Sequence, residues 1–105
     1  MFIEVDDSSI FIGDEHSCTN AYAIVRADAL FLRSINVDPV CRKSGIGQQL
    51  ISTLLEFASQ KPFLTRIEGQ FMPSPRDYEN SARFFKNSGF NIEKRVDGEY
   101  IVRDI

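Results

Sequence analysis

The sequence predicts an α/β (α+β) domain: a mixed, mostly antiparallel twisted sheet with one parallel β-α-β crossover, a second helix and a C-terminal hairpin. Three features indicate this arrangement. Short strand-like segments separated by turn formers fill the first 37 residues, an amphipathic helix follows, and two strand-like segments close the chain. A chain of 105 residues can bury an ordinary hydrophobic core. We therefore expect one domain over residues 1–105.

The N-terminal third predicts an antiparallel meander. Strand propensity is high over residues 2–5, 10–12, 21–25 and 30–37. The segments between them are rich in Asp, Ser and Gly, which tolerate tight turns. Pro39 ends the last strand, because proline lacks the amide hydrogen that a sheet ladder needs.

The middle of the chain predicts a helix followed by a parallel strand. Polar residues occupy one side of this helix and Gln60-Lys61-Pro62 ends it. Residues 63–71 return as a strand. Because a helix separates them from residues 30–37, the two strands are expected to be parallel neighbours with a right-handed crossover. The apolar residues at helical spacing are Ile46, Leu50, Ile51, Leu54, Leu55 and Ala58.

The C-terminal part predicts a second helix and a hairpin. Ser74 or Asp77 can cap the helix at its start, and Gly89 can end it. Asp97-Gly98 favours the positive backbone angles of a two-residue hairpin turn. The strands of this hairpin are residues 90–96 and 99–103.

The composition narrows the range of functions. The chain has 12 Lys and Arg against 15 Asp and Glu, a formal net charge of −3. This balance argues against a nucleic-acid binder, whose affinity comes from a basic face. Cys18, Cys41 and His16 do not predict a disulfide framework or a metal site. Without a basic leader or a long apolar stretch, we expect a cytoplasmic protein that does not bind membranes.

A basic, glycine-containing loop before the first helix is the sharpest local signal. Amides at a helix N-terminus lack intrahelical partners and lie at the positive end of the helix dipole, so they can bind phosphate. Gly45 and Gly47 let a ligand approach because they have no Cβ, and Arg42 and Lys43 add positive charge. The alternative interpretation is a tight strand-to-helix turn without a ligand.

Two segments resemble motifs of the GCN5-related N-acetyltransferases, the GNAT family. Arg42-Lys43-Ser44-Gly45-Ile46-Gly47 is similar to motif A, whose loop reads (Arg/Gln)-x-x-Gly-x-(Gly/Ala). Asn80-Ser81-Ala82-Arg83-Phe84-Phe85-Lys86-Asn87-Ser88-Gly89-Phe90 resembles motif B, a helix with an aromatic pair that closes on Gly-Phe. The two motifs occur in the family's order, and the resemblance covers residues 30–90.

The resemblance implies acetyl-CoA as co-substrate and no metal. It implies that the strand ending at Val37 and the strand over residues 63–71 splay apart and admit the pantetheine arm. Backbone groups of the first strand would polarise the thioester carbonyl, and amides at the helix start would hold the pyrophosphate. The residues assigned to the cofactor in this way are Ile35, Asn36, Val37, Arg42, Lys43, Ser44, Gly45, Ile46, Gly47, Gln48, Asn80 and Phe84.

The sequence indicates the catalytic acid and base less clearly than the cofactor residues. Many family members carry Tyr at the second aromatic position of motif B, where its hydroxyl protonates the departing thiolate, and this chain has Phe85 there. A thiol with a pKa of about 8.5 is already a fair leaving group, so transfer does not require that donor. Tyr78 or a water molecule can substitute. Glu68 is the candidate base, with an ion pair to a neighbour such as Arg66 as the alternative.

The resemblance implies an acyl-CoA-dependent N-acyltransferase that moves acetyl to a primary amine by direct attack. The acceptor is expected to be a small molecule or a peptide. A non-catalytic CoA-binding or protein-interaction domain with the same fold is the alternative. The family's usual first strand and the helices after it have no counterpart before Phe2, so we expect an acceptor side that is open or completed by a second copy in a homodimer.

Overall fold

The computed structural model describes residues 2–13, 19–36 and 45–105. Within these ranges the chain forms seven strands in one sheet and two helices. The strands are β1 (Phe2–Val5), β2 (Ser9–Gly13), β3 (Asn20–Arg26), β4 (Ala29–Asn36), β5 (Arg66–Gln70), β6 (Asn91–Arg95) and β7 (Gly98–Asp104); the helices are α1 (Ile46–Ser59) and α2 (Tyr78–Asn87).

The sheet has the order β1-β2-β3-β4-β5-β7-β6. Strands β1 to β4 form an antiparallel meander, and β7 pairs antiparallel with both β5 and β6. Strands β4 and β5 are parallel, because the chain crosses through α1 between them. The mixed, mostly antiparallel sheet with one parallel pair, a second helix and a final hairpin confirms the predicted fold class.

One hydrophobic core joins both helices to one face of the sheet. The strands contribute alternate residues to it, as expected when side chains of a strand point to opposite faces. Leu54 of α1 and Ile67 of β5 are fully buried in this core, and Phe85 of α2 packs into it. The apolar stripe predicted for the first helix therefore faces the sheet.

On the opposite face, arginine side chains lie over aromatic rings. The guanidinium of Arg26 is 4.6 Å from the ring centre of Phe31, and that of Arg95 is 4.3 Å from the ring centre of Tyr100. Such contacts combine a cation-π interaction with the burial of the aliphatic part of the arginine. They shield apolar surface on a side of the sheet that the two helices do not cover.

The structure corrects two local predictions. The strand predicted over residues 63–71 begins at Arg66, because the chain first turns, with the amide of Leu64 donating to the carbonyl of Lys61. The final hairpin turns at residues 96–97, and Gly98 already pairs with Arg95. Gly98 takes the positive φ of 138°, whereas its two predecessors do not have positive φ, so the turn lies one residue before Asp97-Gly98.

The start of α2 also differs in detail. Asp77 occupies the N-cap position, but its side chain makes no capping hydrogen bond. Instead its carboxylate accepts a hydrogen bond from Ser74 Oγ at 3.1 Å. The other end is as expected, since Gly89 follows the helix with a φ of 87°.

Within the described part of the chain, neither helix is long and apolar enough to cross a membrane.

Candidate active site

The two parallel strands of the sheet diverge towards their C-terminal ends. They pair from Ala29 opposite Arg66 to Leu32 opposite Gly69, and β4 runs four residues further. At the same level the register between β3 and β4 shifts, which leaves Arg33 as an extra residue in β4. Such a β-bulge bends its strand. The result is a fork that opens after Leu32 and Gly69.

Gly69 allows the close approach of the strands at the base of this fork. A Cβ on Gly69 would lie 2.6 Å from the carbonyl oxygen of Leu32 and 3.1 Å from the Cβ of Leu32. The first distance is shorter than any real Cβ contact, and the obstacle is backbone, which cannot swing away. The last pair of the parallel ladder therefore depends on the absence of a side chain.

A cleft of about 370 Å³ occupies the fork. One wall is the outer half of β4, another is the end of β5 with the segment after it, and α2 closes the third side. Beyond Leu32, the backbone groups of β4 that point away from β3 have no strand partner in the register of β4 and β5. The lining residues are Leu32, Arg33, Ser34, Ile35, Asn36, Gln70, Phe71, Met72, Pro73, Ser81, Phe85 and Ile101.

The start of α1 is a second functional feature. Gly45 is its N-cap with a φ of 81°, and the first turn carries neither a side-chain capping bond nor an acidic residue among the described residues. The amide of Gln49 is the first to reach the carbonyl of Gly45, at 3.1 Å. The amides of Ile46, Gly47 and Gln48 come before it and lack intrahelical acceptors. They form a positive end that suits an anion.

The predicted cofactor residues are divided among these features. Ile35 and Asn36 line the cleft. Gly45, Ile46, Gly47 and Gln48 lie at the start of α1, as the sequence indicated. Their contacts with a cofactor remain predictions. The predictions for Val37, Arg42, Lys43 and Ser44 lie outside the described residues.

Helix α2 turns different residues towards the cleft than the sequence analysis selected. Asn80 is exposed, and Phe84 packs against the core with its ring centre 5.1 Å from that of Phe85. Ser81 and Phe85 line the cleft. Residues four apart share one helix face, so the motif position of Phe85 and this spacing together indicate Ser81 as its neighbour on that face. Cofactor contacts of Asn80 and Phe84 stay predictions.

The hydroxyl of Tyr78, the candidate acid, forms a hydrogen bond with a residue that does not line the cleft. It donates to Glu99 Oε2 at 2.8 Å, and its ring stands edge-on to Phe71 at 5.3 Å. The hydrogen bond to the Glu99 carboxylate raises the pKa of Tyr78 above its ordinary value. The phenol therefore keeps its proton at neutral pH, but that proton is directed at a carboxylate. The role of Tyr78 as an acid stays a prediction.

Glu68, the candidate base, lies between two arginines. Its carboxylate accepts from Arg95 at 2.9 Å and from Arg66 at 3.3 Å. Burial raises the pKa of Glu68, but the hydrogen bonds and charges of the two guanidinium groups outweigh it and the pKa is lowered. A carboxylate of this kind is a weak base, and it does not line the cleft. The structure thus shows the ion pair with Arg66 that was the alternative interpretation, and the role of Glu68 as the base stays a prediction.

A metal site does not form among residues 2–13, 19–36 and 45–105, where no three His, Cys, Asp or Glu side chains come together. His16, Cys18 and Cys41 lie outside these ranges. What the described geometry offers is a positive helix end and a narrow cleft with strand backbone on one wall. This arrangement can take an elongated ligand that has an anionic part and a thin chain.

A family model and several solved structures are similar to this chain. The family model described as Acetyltransferase (GNAT) family matches residues 8–90. PaiA N-acetyltransferase from Thermoplasma acidophilum, solved in complex with coenzyme A, superposes with a TM-score of 0.76 at 15% identity, over 93% of this chain and 62% of that one. Nourseothricin acetyltransferase superposes with a TM-score of 0.73 at 17% identity, over 93% of this chain and 66% of that one.

A third structure is similar in length as well as in fold. The anti-CRISPR protein AcrVA5 superposes with a TM-score of 0.72 at 20% identity, over 90% of this chain and 97% of that one. By contrast, this chain spans less than two thirds of the PaiA and nourseothricin enzymes. No curated protein sequence matches it. Because the family model covers most of the chain, this protein belongs to the GNAT acetyltransferase family.

Proposed function

We propose that the protein is an N-acetyltransferase that transfers acetyl from acetyl-CoA to a primary amine. The observation that supports this most is the cleft in the fork between β4 and β5, which this chain of the GNAT family combines with an uncapped start of α1. The anion site suits the diphosphate of coenzyme A, and the narrow cleft suits its pantetheine arm. The coenzyme A bound to PaiA supports the same cofactor.

In this proposal each part of coenzyme A has its own surface. The diphosphate would accept hydrogen bonds from the amides of Ile46, Gly47 and Gln48, at the positive end of the helix dipole. The pantetheine arm would lie in the fork along β4. Among the described residues, nothing lies within 4 Å of the position that a Cβ on Gly45 would take.

The chemical step would be direct attack of a neutral amine on the thioester carbon. The C–N bond forms, the C–S bond breaks, and the amine proton passes to solvent while the thiolate takes one up. Amides of β4 without strand partners would stabilise the developing oxyanion. A thiol with a pKa of about 8.5 leaves readily, so the missing aromatic acid at Phe85 slows this step without forbidding it.

The acceptor would be a small-molecule or peptide amine. The nourseothricin acetyltransferase, named for a small-molecule acceptor, has the same fold and supports the first class. The cleft lining offers the hydroxyls of Ser34 and Ser81 and the side-chain amide of Gln70 for orienting an amine. These groups carry no net charge and would orient an amine by hydrogen bonding, beside the positive charge of Arg33 in the same lining.

A thermal shift experiment tests cofactor binding. A ligand that binds only the folded protein stabilises it by about 2.7 kcal/mol at a hundred times its Kd. We expect acetyl-CoA to raise the Tm and Arg42→Glu to reduce this increase, because the substitution replaces a positive charge of the predicted anion-binding loop with a negative one. Arg83→Glu is the matched control, since Arg83 is exposed on α2 and does not line the cleft. An unchanged Tm in the parent protein would remove the main support for the proposal.

A thiol-release assay separates the enzyme from the second candidate, a non-catalytic CoA-binding domain. That candidate is favoured by Phe85, which lines the cleft without a proton donor, and by the hydroxyl of Tyr78, which is bound to Glu99. An enzyme releases free coenzyme A faster when an amine is supplied. Binding without amine-dependent release, across a panel of small amines and peptide N-termini, would favour the binding domain.

A further inference from the structure

We propose that Ser88 and Gln48 are positioning residues for coenzyme A, which hold the first turn of α1 in the conformation that binds the diphosphate. The inference rests on the proposed function, because it presumes coenzyme A at the start of α1. Neither residue is proposed to react. Their side chains join the end of α2 to the beginning of α1, and through α2 to the cleft.

The contact itself is a hydrogen bond between distant parts of the chain. Gln48 Nε2 donates to Ser88 Oγ at 3.1 Å, across 40 positions of sequence. Ser88 Oγ in turn donates to the carbonyl of Phe84 at 2.8 Å. Because the serine hydroxyl uses its proton on one side and a lone pair on the other, its orientation is determined. Gln48 therefore donates to an oxygen that a second hydrogen bond holds against the end of α2.

Ser88 is fixed to the sheet as well as to its own helix. The residue is only 6% exposed, and Arg103 of β7 donates a hydrogen bond from Nη1 to its carbonyl oxygen. The next residue, Gly89, adopts a φ of 87°, and a Cβ there would lie 3.2 Å from the Arg103 guanidinium. Ser88 is thus buried and hydrogen-bonded through both its hydroxyl and its carbonyl, whereas Gln48 is an exposed residue on the first turn of α1.

The first turn of α1 needs such a restraint for the proposed role. Its N-cap is Gly45, which has no side chain to close the turn with a capping bond. Loose amides would have to be ordered when a phosphate binds, and this ordering lowers affinity. The bond from Gln48 to Ser88 supplies an external restraint that leaves the backbone amides available. Ser88 is the C-cap of the helix that carries Ser81 and Phe85 of the cleft, so α2 connects both parts of the proposed cofactor site.

Binding measurements with coenzyme A and with pantetheine test the inference. Pantetheine lacks the diphosphate and nucleotide, so it does not use the start of α1. We expect Ser88→Ala and Gln48→Leu each to weaken coenzyme A binding about 3–10-fold, the effect of one lost hydrogen bond of ~1 kcal/mol. Pantetheine binding, measured by NMR titration, should change less than about twofold. The double variant should be no weaker than either single one, because both remove the same contact.

Two matched controls accompany these variants. Ser59→Ala removes a similar serine bond, from Oγ to the carbonyl of Glu56 at 2.7 Å, at the other end of α1. Gln49→Leu changes the neighbouring exposed residue of the first turn. Both should bind coenzyme A as the parent does. Gln48→Leu alters an exposed side chain, so it keeps the test decisive if Ser88→Ala unfolds the protein.

The binding results distinguish failure of the inference from failure of the proposed function. Unchanged coenzyme A affinity in Gln48→Leu would overturn the inference while leaving the proposed function intact. Equal weakening of coenzyme A and pantetheine would also overturn it, because that pattern indicates a general structural role. If the parent protein binds neither ligand, the proposed function itself fails, and the inference fails with it.

Discussion

Glu68 illustrates, at the scale of a single residue, how burial and ion pairing compete on a strand. Burial favours the neutral acid, but Arg95 and Arg66 hold the carboxylate ionised, and its pKa falls below the ordinary value of 4.5. Arg66 also donates to Asp28 at 3.0 Å, so the ion pairs continue towards the loop before β4. This arrangement suits a structural carboxylate better than a proton acceptor.

Glu68→Gln should lower stability at neutral pH and lose its effect in acid. Since the folded-state pKa lies below the unfolded one, ionised Glu68 stabilises the protein above about pH 4.5. That contribution disappears as the pH falls through the folded-state value. We expect a loss of about 1–2 kcal/mol at pH 7, because both arginines are partly exposed. Urea unfolding at pH 7 and at pH 3.5 or below measures it.

Glu93→Gln is the control for that experiment, because Glu93 contacts Arg95 from an exposed position. Glu93→Gln should lower the free energy of unfolding at pH 7 by about 0–1 kcal/mol. Equal losses for Glu68→Gln and Glu93→Gln at pH 7 would contradict the structural role. A large drop in thiol release with little change in stability would instead support Glu68 as the base.

Among the secondary-structure elements, the fork between β4 and β5 determines the shape of the cleft. Strands β4 and β5 hold together over four pairs and then separate, and the extra residue Arg33 marks the place where β4 bends. The N-terminus of α1 would receive one end of the cofactor and the fork the other. Gly69 stands at the last pair, so the shape of the fork depends on one small residue.

Gly69→Ala should destabilise the protein and widen the base of the fork. The added methyl would meet the carbonyl of Leu32 at 2.6 Å. Overpacking of this kind costs about 1–3 kcal/mol. We expect a lower unfolding free energy by urea denaturation and weaker acetyl-CoA binding by calorimetry. Gly13→Ala is the control, because its methyl would meet the far end of the flexible Phe2 side chain, which can move. Equal costs for both variants would contradict this account.

The whole molecule is organised around one core on one face of the sheet. Both helices and the inner positions of the strands share it, while arginines shield aromatic rings on the other face. A single core predicts cooperative unfolding, with the cofactor site lost together with the sheet. The homodimer and the cytoplasmic location stay predictions.

Leu54→Ala tests this cooperativity. Leu54 is fully buried in the core, and removal of such a side chain costs about 2–5 kcal/mol. We expect the urea midpoint to fall equally when unfolding is followed by circular dichroism and by tyrosine fluorescence, because Tyr78 and Tyr100 report on α2 and β7. Transitions at different urea concentrations would show that the elements unfold separately.

The amino-acid sequence by itself determined the type and order of the elements and the family. Apolar spacing marks α1, turn formers separate the first strands, and the two motifs over residues 42–47 and 80–90 identify the GNAT family. These signals are local, since helix and strand periodicity and loop chemistry are properties of neighbouring residues. For the same reason the start of α1 could be located as the candidate anion site.

Only the tertiary structure decided which side chains meet. The bulge at Arg33, the closeness of Gly69 to Leu32 and the bond between Gln48 and Ser88 join residues from different elements. The insertion of β7 between β5 and β6 is of the same kind. Such contacts depend on strand register and helix packing, which arise when the whole chain closes on its core. Local sequence preferences do not determine these contacts, because each partner is compatible with many neighbours.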